Sequence, residues 1–194
     1  RAERAAARRP MAMAVAMAAL ADALPANAVV VEEAITANID FARSVPVAGV
    51  GDYYSGRGGG IGQGLAGAIG VAGAKPDRPG VCVSGAGSAM YSLQARWTAA
   101  HHGLDIVFVI LSNREYRVLK HNIDVYRGRF GVESNRAYAH MDLVGPDLGF
   151  VEMARGMGVA AERITEPDAF RDALARACAT PGPALIELAI EGKA

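Results

Sequence analysis

The sequence has no net charge, little cysteine, few aromatic residues and no long apolar run. Twenty basic residues balance twenty acidic ones among 194 residues, so no positive excess predicts binding to nucleic acid or to an anionic membrane. No stretch reaches the roughly 20 apolar residues that a membrane-spanning helix needs. The hydrophobic share of 52% and the charged share of 21% are those of a globular chain with a sizeable core. We therefore expect no nucleic-acid partner and no membrane partner.

The two cysteines, Cys82 and Cys178, stand in apolar contexts and form neither a Cys-x-x-Cys motif nor a metal-ligand spacing. We expect two buried thiols in a reducing compartment, the cytoplasm, rather than a disulfide. The sequence also lacks a G-x-x-x-x-G-K phosphate loop and any recognisable Ser/His/Asp or Cys/His set. We therefore assign no catalytic side chain to this chain.

The first 25 residues combine positive charge with an apolar segment. Four arginines precede the apolar run 11–20, an arrangement that imitates a signal peptide. The larger apolar side chains recur at the spacing of one helix face, however, and they are Met13, Met17, Leu20 and Leu24. We therefore predict a buried helix over about 10–24. Because the chain starts with arginine, we also expect it to be a piece, or one subunit, of a longer protein.

Segments with strand character alternate with helical segments along the chain. The predicted strands are 28–33, 47–50, 80–84, 106–113, 159–163 and 184–190. The main predicted helices after the first are 61–74, 88–102, 147–157 and 167–179, with a short helix at 116–122 and an irregular lid over 123–146. The continuous apolar run "IVFVILSN" is typical of a parallel sheet that is buried on both faces. We predict an α/β fold, a doubly wound parallel sheet of about six strands with helices on both faces, in a single domain over 1–194.

The segment Ser84-Gly85-Ala86-Gly87-Ser88 follows a predicted strand, and doubly wound sheets bind ligands at the carboxyl ends of their strands. Its glycines let backbone N–H groups approach a ligand, and the positive end of the following helix favours a phosphate. The alternative is a tight strand-to-helix turn in which Ser88 only caps the helix. This segment alone does not separate the two interpretations.

Asn113 follows the strongest predicted strand. Its amide oxygen is a ligand type that suits Mg²⁺ or Ca²⁺, but an asparagine here can equally close the strand in an Asx-turn. The segment beyond it is basic and contains Arg117, Lys120, Arg127 and Arg129. Such a segment suits an anionic substrate or is simply a solvated loop.

The glycine-rich stretch "GRGGGIGQGLAG" contains a G-x-G-x-x-G match at Gly62, Gly64 and Gly67. A loop rather than a strand precedes it, and the next strand does not end on an acidic residue, so the match to a dinucleotide-binding motif is weak. The alternative is a helix that packs very closely on the sheet through small residues, which would be Gly62, Ala66, Gly70 and Gly73.

Taken in order, these features resemble the diphosphate-binding domain of thiamine diphosphate enzymes, in particular the decarboxylase and acetohydroxyacid synthase group that includes benzoylformate decarboxylase. That family carries Gly-Asp-Gly, then a helix and a strand, then Asn-Asn. The counterparts here are Gly85-Ala86-Gly87 and Ser112-Asn113, with 86 and 113 lying 27 positions apart. The stretches "EEAIT", "GGGIGQGLAGAIGVA" and "GSAMYSLQARWTAAHHGLDIVFVILSNREY" follow the family as well.

The resemblance implies a cofactor, thiamine diphosphate, with Mg²⁺. It implies that the Asn113 side chain and the Glu115 backbone carbonyl bind the metal. The residues that it places at the cofactor are Thr36, Gly59, Ile61, Gly85, Gly87, Ser88, Ala89, Asn113 and Tyr116. Of these, Gly87, Ser88 and Ala89 would hold the diphosphate, with a further contact near Thr36. Gly59 would accept the amino group of the aminopyrimidine through its carbonyl, and Ile61 would force the cofactor into its bent shape. Leu119 and its neighbours would face the substrate.

Two departures from the family pattern matter. Ala86 replaces the aspartate that supplies the protein's anion to the metal, so we expect weakened Mg²⁺ binding. The family's activating glutamate belongs to a separate pyrimidine-binding domain, which we expect on a partner or on another part of the protein. We therefore expect part of a homo-oligomeric 2-oxo acid decarboxylase or carboligase that is not active alone. The alternative is a degenerate, non-catalytic scaffold domain of the same fold.

Overall fold

The computed structural model describes residues 10–56, 58–134 and 136–192. Its centre is a sheet whose strands are β1 Val29–Glu33, β2 Tyr53–Ser55, β3 Gly80–Gly85, β4 Ile106–Ser112, β5 Ala160–Ile164 and β6 Ala184–Ala189. The strand order is β2-β1-β3-β4-β6-β5, and every neighbouring pair is parallel. This confirms the predicted α/β class and the parallel sheet of about six strands.

Helices cover both faces of the sheet. They are α1 Met13–Ala23, α2 Asn38–Ser44, α3 Gln63–Ala74, α4 Ala86–Ala89, α5 Ala95–His102, α6 Arg117–Phe130, α7 Phe150–Arg155 and α8 Pro167–Ala179, with 3-10 turns at Ile35–Ala37 and Met90–Ser92. The core under α1, α2 and α8 is separate from the core under α3, α4, α5 and α7. The sheet between them therefore has no face open to solvent along its central strands.

The central strands are apolar throughout because their side chains alternate between these two cores. Val81 and Val83 pack into the first core, whereas Cys82 between them packs into the second. In β4, Val109 and Phe108 divide in the same way. Full burial of a side chain of this size stabilises the fold by about 1.5–3 kcal/mol, so the uninterrupted run in β4 is a large contribution.

The first helix confirms the predicted apolar face in its main part. Met13, Met17 and Leu20 are buried, although the helix begins at Met13 rather than near residue 10. The arginines that suggested a signal peptide lie outside the described residues. Among the residues that the structure describes, no helix is both long and apolar enough to cross a membrane.

Both cysteines are free thiols, so the predicted disulfide-free chemistry is confirmed. Cys82 is fully buried in β3, but Cys178 near the end of α8 is only half-buried. Burial raises the pKa of the Cys178 thiol to about 11.

The predicted strand at 47–50 is wrong. Residues 46–52 form an irregular segment with bends and turns, and the edge strand is Tyr53–Ser55. This strand is only three residues long and partly exposed, so the sequence has no apolar run there from which to predict it. It is held by pairing with β1 and by the ring of Tyr53, which stacks on Phe41 at 5.6 Å between centroids.

Two helix predictions also need correction. The predicted helix over 88–102 is broken into α4, a 3-10 turn and α5, although Gly103 does close it in the left-handed conformation. The predicted lid over 123–146 is helical in its first part, because α6 continues to Phe130. None of the residues of α6 is buried. Four of its apolar residues nevertheless recur at the spacing of one helix face, a pattern that the prediction did not use, and they are Leu119, Ile123, Tyr126 and Phe130.

The small-residue face predicted for the glycine-rich helix is the wrong face. The buried residues of α3 are Gly64, Leu65, Ala68 and Ala72, whereas Ala66, Gly70 and Gly73 are exposed. Close packing on the sheet is nevertheless real at one position. A Cβ on Gly64 would lie 2.7 Å from the Cβ of Glu33, so only glycine fits there.

Candidate functional site

A cleft of about 260 Å³ lies at the carboxyl ends of β1, β3 and β4. After β1 the chain adds β2 on one side of it and then crosses over to add β3 on the other side. The strand order therefore reverses between β1 and β3. Ligands of open α/β sheets bind in the crevice at such a reversal. The position of the cleft is therefore the one that the topology favours for a ligand.

The loops after these three strands, with one residue of the glycine-rich loop, form the walls of the cleft. The lining residues are Ala34, Ile35, Thr36, Ile61, Gly85, Ala86, Gly87, Ser88, Tyr91, Asn113, Glu115, Tyr116, Arg117, Val118 and Leu119. The cleft thus brings together most of the site residues expected from the sequence, which are Thr36, Ile61, Gly85, Gly87, Ser88, Asn113, Glu115 and Tyr116.

Two expected residues do not line this cleft. Gly59 lies in a neighbouring cavity, of about 290 Å³, which shares only Ile35 with the first. Ala89 is fully buried in the core below the turn. A role for Ala89 at the cofactor is therefore limited to its backbone.

The turn at the end of β3 is built for close approach to a ligand. Gly85 is extended, with φ −68° and ψ 148°, and α4 begins at the next residue. A Cβ on Gly87 would lie 2.8 Å from Cε1 of Tyr116, so glycine lets the tyrosine ring lie directly against the turn. Ser88 is only 6% exposed, and its hydroxyl has no hydrogen-bond partner among the described residues. Ser88 Oγ is not one of the fully buried unpartnered atoms of the described residues, which are Ser92 Oγ, Arg96 Nη1 and Arg96 Nη2, so the hydroxyl is accessible and can donate to a ligand in the cleft.

The helix after this turn contributes less than the sequence suggested. α4 has only four residues before the chain tightens into a 3-10 turn, so few peptide dipoles are aligned toward the cleft. The capping alternative for Ser88 is wrong as well, since the residue lies inside α4 and the helix has no side-chain cap.

At the end of β4, Asn113 forms the Asx-turn that the sequence left open. Its Oδ1 accepts a hydrogen bond of 3.2 Å from the backbone N–H of Glu115. A carbonyl oxygen has two lone pairs, so the same atom retains one for a ligand. The Asx-turn and a role in binding are therefore compatible.

The Glu115 carboxylate is already paired. Lys120 donates to it and, at 2.6 Å, to Asp142, and the side chains of Lys120 and Glu115 are largely buried. The hydrogen bonds that Lys120 donates to Asp142 and Glu115 raise the pKa of Lys120. The loop is fixed further by the Tyr116 N–H, which donates to the Met141 carbonyl at 2.8 Å. The cleft therefore contains no free carboxylate from the loop after β4.

Apart from Glu115, no acidic side chain lines the described part of the cleft, and position 86 is an alanine. Ala86 is 3% exposed and packs in the second core. On its far side is a small cavity of about 10 Å³, whose walls include Ser112 and Glu187. Glu187 is buried, and burial raises the pKa of its carboxyl, although the Arg163 charge and a hydrogen bond from Ser112 counteract this.

These donors fit a diphosphate better than they fit a magnesium ion. The turn offers backbone N–H groups, the unpartnered Ser88 hydroxyl and a nearby arginine, Arg117. For a metal, the wall offers neutral oxygens such as Asn113 Oδ1. Within 10–56, 58–134 and 136–192, no cluster of three or more His, Cys, Asp or Glu side chains could hold a metal ion.

The G-x-G-x-x-G match has a different function in the structure. The buried carboxylate of Glu33 accepts hydrogen bonds from the backbone N–H groups of Gly62 at 2.6 Å, Gln63 at 3.2 Å and Gly64 at 2.8 Å. Glu33 thus caps α3 from a distance of 29 residues in sequence. These N–H groups are unavailable to a dinucleotide phosphate, and the carboxylate would repel it.

Sequence reasoning missed part of the cleft. Ile35 has a positive φ of 51°, which few non-glycine residues adopt, and no pattern in the sequence indicates it. Tyr91 lines the cleft although the sequence assigned it no role, whereas Val118 is a neighbour of Leu119, which was expected to face the substrate. Arg117 was visible only as one of four basic residues in a polar segment. Its position directly after Tyr116 was the available signal.

The sequence model of one protein family matches residues 36–188, and this family is described as "Thiamine pyrophosphate enzyme, C-terminal TPP binding domain". A Mycobacterium tuberculosis protein named "Putative acetolactate synthase large subunit IlvX" is 38% identical over 168 residues, which are 86% of this chain and 32% of that protein. Benzoylformate decarboxylase of Pseudomonas aeruginosa is 34% identical over 168 residues, or 86% of this chain and 30% of that enzyme.

Among solved structures, the thiamine diphosphate-dependent 4-hydroxybenzoylformate decarboxylase of Rhodococcus jostii RHA1 superposes with a TM-score of 0.86. It is 28% identical, and the match covers 95% of this chain and 33% of that one. The likeness confirms the expected thiamine diphosphate-binding fold. The chain spans about a third of the length of these relatives.

Proposed function

The chain belongs to the thiamine diphosphate-dependent enzyme family, as its C-terminal cofactor-binding domain, and from this we propose that it is the diphosphate-binding part of a 2-oxo acid decarboxylase or carboligase. The observation that carries the proposal is one cleft, at the strand-order reversal, that collects the turn after β3, Asn113 and Ile61. We further propose that residues 1–194 act as a single domain.

The residues of the cleft divide into those for the diphosphate and those for the rings. The backbone of Gly85 and Gly87 and the hydroxyl of Ser88 hold the diphosphate, together with Thr36, which also lines the cleft, and Ala89 through its backbone. Ile61, which is 46% exposed, offers an apolar surface to the thiazolium ring.

Two further residues complete the cofactor site in this proposal. The Gly59 carbonyl in the adjoining cavity accepts the amino group of the aminopyrimidine, and Tyr116 closes the wall over Gly87. Thiamine diphosphate bound there would supply the carbanion chemistry that a 2-oxo acid substrate requires. The chain's own residues position the cofactor, and none of them acts as an acid or base.

The metal site is the weak part of the arrangement. Mg²⁺ would receive the Asn113 side chain and the Glu115 carbonyl, but Ala86 provides no carboxylate. Since the charge of the ligands sets the affinity of hard cations, Mg²⁺ binds here less tightly than at a site with an aspartate.

The remaining components lie outside this chain in the proposal. A pyrimidine-binding domain or subunit supplies the glutamate that activates the cofactor, so this chain alone does not turn over substrate. The complete enzyme acts on a small 2-oxo acid as a homo-oligomer in the cytoplasm.

Calorimetry with thiamine diphosphate and Mg²⁺ tests the proposal by comparing the wild type with Ala86→Asp. The carboxylate adds a charged ligand to the metal, so the variant binds cofactor and metal more tightly. Ala86→Asn is the matched control, because it has the same shape without the charge. Equal affinity in the wild type and Ala86→Asp would contradict an inherited metal site.

The second candidate is a degenerate scaffold of the same fold, and the apolar packing of Ala86 in the core favours it. It predicts no cofactor binding even in Ala86→Asp, together with a stable oligomer in sedimentation. The cleft itself argues against it, because Gly87, Ser88 and Asn113 still line one cavity at the strand-order reversal.

A further inference from the structure

We propose that Arg117, rather than a bound metal ion, supplies the main positive charge that holds the diphosphate in this cleft, so that binding depends little on Mg²⁺. The inference rests on the proposed function, since it takes a diphosphate ester as the ligand. It adds a binding residue and a metal requirement that differ from the arrangement with an aspartate at position 86.

Arg117 is the first residue of α6 and lines the cleft together with Gly87 and Ser88. It is half-buried, and among the described residues it has no hydrogen bond and no ion pair. Its basic neighbours are already paired, Lys120 with Glu115 and Asp142 and Arg114 with Asp147. In the described part of the cleft wall, Arg117 is therefore the cation that remains available for a ligand.

The described part of the cleft wall also lacks the free negative charge that a metal ion would need. Position 86 is apolar, and Lys120 neutralises the Glu115 carboxylate, so this wall attracts a diphosphate more than it attracts a divalent cation. A guanidinium can replace both functions of a metal at a phosphate. It neutralises charge, and its planar N–H groups fix two oxygens in a defined orientation.

The uncharged donors of the cleft complement this position. The Ser88 hydroxyl has no hydrogen-bond partner among the described residues and lines the cleft beside the turn, so it is available to donate to a phosphate oxygen. α6 has 14 residues, begins at Arg117, and has neither a side-chain cap nor an acidic residue in its first turn. Its first N–H groups therefore add to the positive potential near Arg117.

NMR titration of the ¹⁵N-labelled chain with thiamine diphosphate, first in EDTA and then in excess Mg²⁺, tests the proposal. This measurement detects millimolar binding and follows the Gly85, Gly87 and Ser88 amides directly, without any need for activity. We expect saturable shifts at these amides in EDTA and a Kd that Mg²⁺ improves less than fivefold. Inorganic pyrophosphate as a second probe should shift the same amides, because the diphosphate carries the contact.

Arg117→Gln should weaken binding in EDTA by about 10- to 100-fold, the range for loss of hydrogen bonds to a charged group. Arg129→Gln is the matched control, since it removes the same charge from the same helix. Its Cα lies about 18 Å further along the axis, beyond the screening length at physiological salt. Each variant is first shown to be folded by superposition of its amide spectrum.

Ala86→Asp gives an independent arm. In EDTA its carboxylate repels the diphosphate and weakens binding, whereas Mg²⁺ reverses the effect, so this variant should show the strong metal dependence that the wild type lacks.

Two outcomes overturn the inference while the proposed function stands. One is a fivefold or larger effect of Mg²⁺ on the wild type. The other is a loss below threefold in Arg117→Gln. Absence of cofactor binding in the wild type and in Ala86→Asp, with and without Mg²⁺, removes the proposed function and this inference together.

Discussion

Arg96 at the start of α5 is a fully buried cation whose terminal nitrogens have no partner. The side chain is 0% exposed, and Nη1 and Nη2 lack hydrogen bonds among the described residues. Nε donates to the Leu93 carbonyl at 3.2 Å. Burial lowers the pKa of the guanidinium. Arg96→Met keeps an unbranched chain of similar length and removes the polar head.

The expected gain follows from the groups removed. Each unsatisfied buried donor group costs about 1–3 kcal/mol, and there are two, while the lost Nε hydrogen bond contributed about 1 kcal/mol. The net stabilisation is therefore about 1–5 kcal/mol, which overlaps the ~1–4 kcal/mol measured when buried ionic groups elsewhere are replaced by apolar ones. In a chain of this size, a gain of ~2 kcal/mol raises the Tm by about 4–8 °C.

Urea unfolding followed by circular dichroism gives the free energy of unfolding, and calorimetry gives the Tm. Arg129→Met is the control, because Arg129 is exposed on α6 and its substitution should change stability by less than about 0.5 kcal/mol. A loss of stability in Arg96→Met would refute the reasoning, since it would mean that the guanidinium has a strong partner in solution.

Two further predictions concern the buried glutamates. Glu33→Gln should lower the free energy of unfolding by about 2–3 kcal/mol in urea, because a neutral amide cannot replace a carboxylate that accepts three N–H groups at the start of α3; stability equal to the wild type would contradict the capping role. Glu187→Gln should become more stable relative to the wild type as the pH rises from about 4 toward neutrality. The reason is that burial raises the pKa of Glu187, so in this window the native wild type holds more protons than the unfolded chain and loses stability with rising pH. A pH-independent difference between the two unfolding curves would exclude this.

The sequence predicted those parts of the molecule that depend on local patterns. The apolar run of β4, which lies between Gly103 and Asn113, places Asn113 at a strand end. Parallel strands bring their carboxyl ends to one edge, so the meeting of Asn113 with Gly87 follows from the fold class. The positions of Thr36 and Ile61 on the same cleft were expected from the family resemblance.

The parts that the sequence did not predict depend on contacts between distant segments. Glu33 caps a helix that starts 30 positions later, and nothing near Glu33 indicates that partner. The edge strand at Tyr53–Ser55 contains two tyrosines, which favour strands, but three residues are too few to predict one, and pairing with β1 holds the strand in place. The face that α3 buries is set by the close approach of Gly64 to β1, which small-residue spacing alone does not specify.

Because α6 has no buried residue, it should unfold locally before the rest of the molecule does. An isolated helix of 14 residues is close to the helix–coil balance in water, so α6 depends on a few side-chain contacts, such as Lys120 with Asp142 and Tyr126 with Phe130. Its amides should exchange with solvent far faster than those of β4, in openings that leave the sheet intact. Limited proteolysis should therefore first cut this helix, and the wall of the cleft from Arg117 to Leu119 would be lost before the core is.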